Sequence, residues 1–227
     1  MNDGRLKVLM KLPVFQIVTR SFINSGCNHK AVEKGWRALQ NLAKTGDGRS
    51  YLNELFHLEE KSRLASQDDH KFLAAFIREV FESMAMVNYP YPTEFLAPLP
   101  GWPVKKACVF LQNVPQSDEE AARQLYEVVN LYYNHTGTTK SFCANAERCA
   151  GAFAALGDPM GWPWQKTIIS WRMVISRNGF LDPWSGGGWS LKPKVEGSLV
   201  SIILKQGAHH YDLRGAHPDD TEEVASS

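Results

Sequence analysis

Two loops near the C-terminus carry the residue types that acid–base chemistry needs. The first reads Asn178-Gly179-Phe180-Leu181-Asp182-Pro183-Trp184-Ser185-Gly186-Gly187-Gly188 and follows the apolar run Met173-Val174-Ile175. The second reads Gly207-Ala208-His209-His210-Tyr211-Asp212-Leu213-Arg214 and follows Leu199 to Leu204. An acid and then a histidine, each just past a strand, is the order in which an α/β-hydrolase supplies the last two members of a Ser…Asp…His triad. In that chemistry the carboxylate holds the imidazole in one tautomer, and the ring takes the proton of a nucleophile. The expected geometry is a pair of neighbouring parallel strands, with the Asp182 carboxylate in hydrogen-bonding reach of His209 and not of His210. The serine elbow G-x-S-x-G occurs nowhere in the chain. Residue spacing alone leaves other readings open. Asp182 can be a turn aspartate bonded to its own backbone, and His209 can be a polar loop residue. A metal site of His209, His210 and Asp212 is poor geometry, because adjacent residues on an extended chain point to opposite faces. Trp184, two residues past the acid, can wall a pocket or underlie a turn.

The rest of the chain must position these loops. From Asn28, a good N-cap, Val32, Trp36, Leu39 and Leu42 recur at helical spacing, and Gly46 and Gly48 are expected to stop that helix. A short amphipathic stretch spans Tyr51 to Leu58. Ser66 opens a long helix to about Val87, with Leu73, Phe76, Ile77, Val80, Phe81 and Met84 as its buried stripe. Residues 89–103 hold Pro90, Pro92, Pro98, Pro100 and Pro103 and are expected to form an extended strap rather than a regular element. Ser117 and Glu120 predict a capping box for a helix to about Tyr133. Residues 137–166 are rich in Gly, Ala and Pro and are expected to be loop.

Composition narrows the function classes. With 25 basic and 24 acidic residues the net charge is +1, which offers no electrostatic footprint for nucleic acid or an acidic membrane surface. Charges and prolines interrupt every apolar run well short of the about eighteen residues a membrane span requires. Leu6 to Val18 is broken by Lys7, Lys11 and Pro13, and is expected to be a core segment rather than a signal peptide. The four cysteines, Cys27, Cys108, Cys143 and Cys149, contain no C-x-x-C zinc pattern. Asn134-His135-Thr136 is a glycosylation sequon. His29, His57, His70, His135 and His217 lie in polar or helix-surface contexts, where structural roles are the default.

The two loops and several upstream segments together resemble the prolyl-specific serine exopeptidases, the family of lysosomal Pro-X carboxypeptidase and dipeptidyl peptidase II. The upstream segments are Met84-Ala85-Met86-Val87-Asn88-Tyr89-Pro90-Tyr91-Pro92, Pro98-Leu99-Pro100, Trp102-Pro103-Val104-Lys105 with Cys108, and Tyr132-Tyr133-Asn134. Gly161-Trp162, Trp164-Gln165 and Phe15-Gln16-Ile17-Val18-Thr19 also fit, and the resemblance covers roughly residues 15–220. It implies an α/β fold: residues 1–135 as a helical cap and 136–227 as the C-terminal part of an incomplete α/β-hydrolase domain. It implies Asp182 as triad acid, His209 as triad base and Trp184 as a wall of the proline pocket. The substrates implied are peptides with proline near a terminus, cleaved in a lysosomal or secreted setting. No cofactor, metal, nucleic acid or membrane is implied, and a homodimer is compatible. The family pattern also implies a Cys27–Cys108 disulfide. A family cysteine is replaced by Glu59, which leaves Cys143 with a local bond to Cys149 or a free thiol. The family nucleophile falls upstream of this sequence, and several dozen family residues between Gln165 and Ile175 are represented only by a short stretch. A C-terminal helix beyond Arg214 is missing as well. The chain is therefore expected to be a fragment, a splice form or an incomplete gene model of a serine exopeptidase. The alternatives are a non-catalytic binding or regulatory relative and a plain helical interaction domain.

Overall fold

A computed structural model describes residues 13–94, 98–149, 173–179, 181–183, 198–209, 211 and 214–225. Its first part is helical. Helix α1 spans Pro13–Asn24, α2 His29–Leu42, α3 Gly46–Leu55 and α4 His70–Met86. Helix α5 spans Pro103–Cys108 and α6 Asp118–Tyr133, and a four-residue turn of helix, α7, spans Ala146–Cys149. Among the described residues the strands are the short antiparallel pair β1 (Thr93–Glu94) and β2 (Pro98–Leu99), and the parallel pair β3 (Met173–Gly179) and β4 (Ser198–Leu204). A terminal turn of helix, α8, covers Glu222–Ala225. The chain is thus helix-rich with a parallel strand pair, an α/β arrangement.

Local chemistry explains most element ends. Asn28 caps α2 by accepting from the Lys30 amide. Thr45 caps α3 by accepting from the Gly48 amide, so Gly46 and Gly48 open a helix instead of closing one. The helix stops four residues before Gly46, where α2 ends at Leu42. Ser66 and Asp69 form a reciprocal capping box ahead of α4, through a 3₁₀ turn at Gln67–Asp69. At α6, Ser117 Oγ accepts from the Glu120 amide, whereas the Glu120 carboxylate accepts from the Gln116 amide rather than from Ser117.

Helix α4 forms the spine of the core. Leu73, Ile77, Val80, Phe81 and Met84 are buried, and Phe76 packs against them from a partly open position. Phe22 of α1 lies against Phe81, ring centroids 4.6 Å apart. Helix α2 buries Ala31, Gly35, Ala38 and Leu39, while Val32, Trp36 and Leu42 lie at the edge of the core. The small face meets α6 closely: a Cβ on Gly35 would come within 2.9 Å of Leu125.

The proline-dense segment is more regular than its composition predicts. Pro98 lies in β2, and Pro103 opens α5, where its missing N–H is no loss. The segment folds back on itself: the Trp102 amide donates to the Tyr89 carbonyl, and a Cβ at Gly101 would lie 2.4 Å from the Pro90 carbonyl oxygen. Only glycine tolerates that approach. Cys27 and Cys108 are disulfide-bonded, joining the turn after α1 to the end of α5. Cys143 and Cys149 form a second disulfide. None of the described helices is long and apolar enough to cross a membrane.

Candidate functional site

Parallel pairing carries the two loops off the same edge of the sheet. Register runs from Met173 opposite Ser198 to Gly179 opposite Leu204, so both strands end together. The loops that follow are laced by the Leu181 amide donating to the Gly207 carbonyl at 3.3 Å. Asp182 lies three residues past the end of β3 and His209 five past the end of β4. Their side chains meet, with His209 Nδ1 at 2.9 Å from Asp182 Oδ2. The carboxylate is buried at 8% side-chain exposure, and the ring is open at 29%.

That geometry assigns the proton. A carboxylate oxygen only accepts, so Nδ1 donates and the neutral ring keeps its lone pair on Nε2. A buried acid fixing the tautomer of a partly open imidazole leaves Nε2 able to take a proton from a hydroxyl or a water. Trp184, His210 and Asp212 lie outside the described residues.

The histidine loop is clamped by the end of α4 and the strap that follows it. The His209 amide donates to the Met86 carbonyl at 2.9 Å, and the Tyr89 hydroxyl donates to the His209 carbonyl. Tyr89, Tyr91 and Tyr211 are buried and packed edge to face or stacked, with centroids 5.6 to 6.4 Å apart. The Arg214 guanidinium lies over Tyr89, 4.3 Å from the ring centroid, a cation–π contact. Burial pushes the Tyr89 phenol above its ordinary range, against the opposing pull of Arg214. Burial likewise pushes Tyr211 up to about 12. Both phenols therefore stay protonated; Tyr89 donates to the His209 carbonyl, and the Tyr211 oxygen accepts from the Thr221 amide. The backbone of Lys205 and Gln206 is tied to the Glu223 carboxylate, which anchors the turn before His209. The Tyr89–Pro92 segment stands out in the sequence for its prolines and as part of the family resemblance, but neither assigns it a contact with the histidine loop. Buried tyrosines interleaved with prolines, and an arginine five residues after His209, are the signals that point to the clamp.

Asn134, the sequon residue, ends α6. Its amide nitrogen donates to Asn130 Oδ1 and its Oδ1 accepts from the Thr139 amide, so both ends of the side chain are in use. The other expected residues, Cys27 and Cys108, lie in the helical core rather than at the Asp182–His209 pair.

Comparison with known proteins gives this arrangement its context. The sequence profile of the family Serine carboxypeptidase S28 matches residues 12–168 and 169–227, breaking between Ile168 and Ile169. A Caenorhabditis elegans protein named Prolyl carboxy peptidase like protein 5 is 46% identical over an alignment covering 92% of this chain and 53% of its own length. Human Lysosomal Pro-X carboxypeptidase is 32% identical, over 88% of this chain and 49% of its own length. The bovine protein of that name is 31% identical, over 92% and 50%. The chain thus spans about half the length of the curated relatives it matches. The first alignment runs over 267 residues although the chain has 227, so that relative carries residues with no counterpart here. Matched by the family profile along nearly its whole length, this chain belongs to the serine carboxypeptidase S28 family.

Proposed function

We propose that this chain carries the acid–base half of a prolyl-specific serine exopeptidase, with Asp182 as the orienting acid and His209 as the base. The carrying observation is the 2.9 Å contact between His209 Nδ1 and the buried Asp182 carboxylate. In acyl transfer, Nε2 of His209 takes the proton of an attacking serine hydroxyl as its oxygen bonds to the scissile carbonyl. The resulting imidazolium, held by Asp182, returns that proton to the leaving nitrogen. The serine belongs to an elbow that this sequence does not contain. The names of the relatives support cleavage next to proline, and Trp184 is the side chain proposed to line the proline pocket. Residues 1–135 are proposed as a cap over the site and 136–227 as the C-terminal part of the hydrolase domain. A lysosomal or secreted location, and glycan on Asn134, follow the same family reading.

The observation favouring a non-catalytic relative is the break in the family match between Ile168 and Ile169. Two experiments separate the readings. In ¹⁵N NMR of the purified protein, His209 is expected as the Nδ1–H tautomer, and Asp182→Asn is expected to abolish that preference. An Nε2–H tautomer in the unaltered protein sinks the acid–base assignment. A fluorophosphonate probe is expected to leave the isolated chain unlabelled. In native tissue it is expected to label a larger species that contains these peptides. An unlabelled species of this chain's 25.5 kDa as the sole tissue form favours the non-catalytic relative.

A further inference from the structure

Away from the Asp182–His209 pair, Glu59, Cys143 and Cys149 converge. One carboxylate oxygen of Glu59 and the two sulfurs all lie within 4.8 Å of one another. The sulfurs form a disulfide across a sequence separation of only 6, and both cysteines are partly open to solvent. The Cys27–Cys108 disulfide differs on both counts, with a separation of 81 and exposures of 7% at Cys27 and 1% at Cys108. A reductant therefore reaches Cys143–Cys149 first.

Contacts independent of the disulfide hold each end of this loop. On one side the Glu59 amide donates to the Phe142 carbonyl and the Phe142 amide donates to the His57 carbonyl, at 2.9 and 3.0 Å. These bonds place positions 59 and 143 side by side. On the other side α7 is capped by Asn145, whose Oδ1 accepts from the Arg148 amide, and Arg148 pairs with the Asp69 carboxylate at 3.3 Å. Cutting the S–S bond thus leaves both thiols near their present places. The Cα–Cα separation of 6.2 Å lets the sulfurs part to the spacing of two ligands on one tetrahedral ion by side-chain rotation alone.

We propose that Glu59, Cys143 and Cys149 form a redox-gated site for a thiophilic divalent cation of the zinc type. It is closed as the disulfide and opened by a dithiol or phosphine reductant. The reductant supplies two electrons and two protons convert the disulfide to two thiols; a dithiol leaves as its cyclic disulfide, a phosphine as its oxide after taking oxygen from water. Metal binding then releases those two protons as thiolates form. Two thiolates and one carboxylate give a neighbourhood that borderline-soft, tetrahedral ions prefer, with a fourth position left for water. The proposal is independent of the function proposed for Asp182 and His209.

The test uses the tag-free 227-residue chain and Co²⁺ as the spectroscopic probe for zinc. After mild phosphine treatment, peptide mapping is expected to find Cys143 and Cys149 free and Cys27–Cys108 still bonded. The reduced protein, not the oxidised one, is expected to bind one Co²⁺ per chain with a thiolate charge-transfer band and tetrahedral d–d bands, and Zn²⁺ should bleach both. Cys149→Ser is expected to remove the charge-transfer signal at unchanged helix content. Glu59→Gln, at an exposed position, is expected to weaken Co²⁺ on the order of tenfold or more. Three results would overturn the proposal: reduction of Cys27–Cys108 first, no charge-transfer band in the reduced protein, or equal Co²⁺ affinity in Glu59→Gln.

Discussion

Replacing Tyr89 with Phe removes one oxygen from the clamp on the histidine loop and leaves its packing in place. The ring keeps its contacts with Tyr91, Tyr211 and Arg214. The hydroxyl that donates to the His209 carbonyl is lost. A neutral intramolecular hydrogen bond is worth about 1 kcal/mol net, and a carbonyl left without its donor in a partly buried place adds to that. A loss of about 1.5 kcal/mol is therefore expected, which lowers a urea midpoint by roughly 0.5–1 M. Tyr51→Phe is the matched control, since its hydroxyl donates to the Glu119 carbonyl at 3.1 Å in an exposed position. That deletion should cost no more than about 0.5 kcal/mol, because water replaces the lost partner. Native-state hydrogen exchange adds location. The His209 amide, bonded to the Met86 carbonyl, should exchange faster in Tyr89→Phe, while amides in the middle of α6 should change only by the global loss. Equal midpoints for Tyr89→Phe and Tyr51→Phe, or unchanged exchange at His209, would refute the claim that the strap holds the histidine loop.

Replacing Cys27 and Cys108 together with Ala opens a loop of 81 residues and should cost about 4.5 kcal/mol by the chain-entropy relation, against about 2 kcal/mol for the 6-residue separation of Cys143–Cys149; urea midpoints of the two double variants should rank in that order. Burial works against the charged form of Asp69, but hydrogen bonds from Ser66 and Ala65 and the charge of Arg148 outweigh it, so its carboxyl lies below its ordinary value. A depressed carboxyl stabilises the fold fully above the unfolded value and loses that contribution as pH falls through the folded one. Asp69→Asn should accordingly cost about 1–3 kcal/mol at neutral pH, with denaturation midpoints of variant and parent converging in strong acid. Gly35→Ala should gain about 1 kcal/mol of helix propensity and lose more through overpacking against Leu125. A net loss of about 1–2 kcal/mol is expected by thermal unfolding, relieved when Leu125 is shortened to Val.

What the sequence determined by itself is what neighbours along the chain decide. Asn28, Ser66 and Ser117 each satisfy an amide within three residues, so their caps are legible in one dimension. The stripe from Leu73 to Met84 is legible because a helix repeats its buried face every 3.6 residues. The order acid then histidine, each after an apolar run, and the long motifs around them placed the chain in its family. The small face of α2 was not legible. Ala31, Gly35 and Ala38 carry little hydrophobic signal, and only the approach of α6, far along the chain, makes them core. Gly46 and Gly48 read as a stop because glycine disfavours helices on average, whereas in the fold the Thr45 side chain accepts from the Gly48 amide and opens a helix there. The strap escaped for a related reason: proline content says where a ladder bond cannot form, not where a fold-back at Gly101 allows one. Tertiary structure alone decided that His209 Nδ1 faces Asp182, since parallel register and the Leu181–Gly207 bond bring the loops together. It alone decided that Tyr89, 120 residues from His209, holds that loop by its carbonyl. Closing so long a loop has an entropic cost that no local pattern records, and only the packed core offsets it.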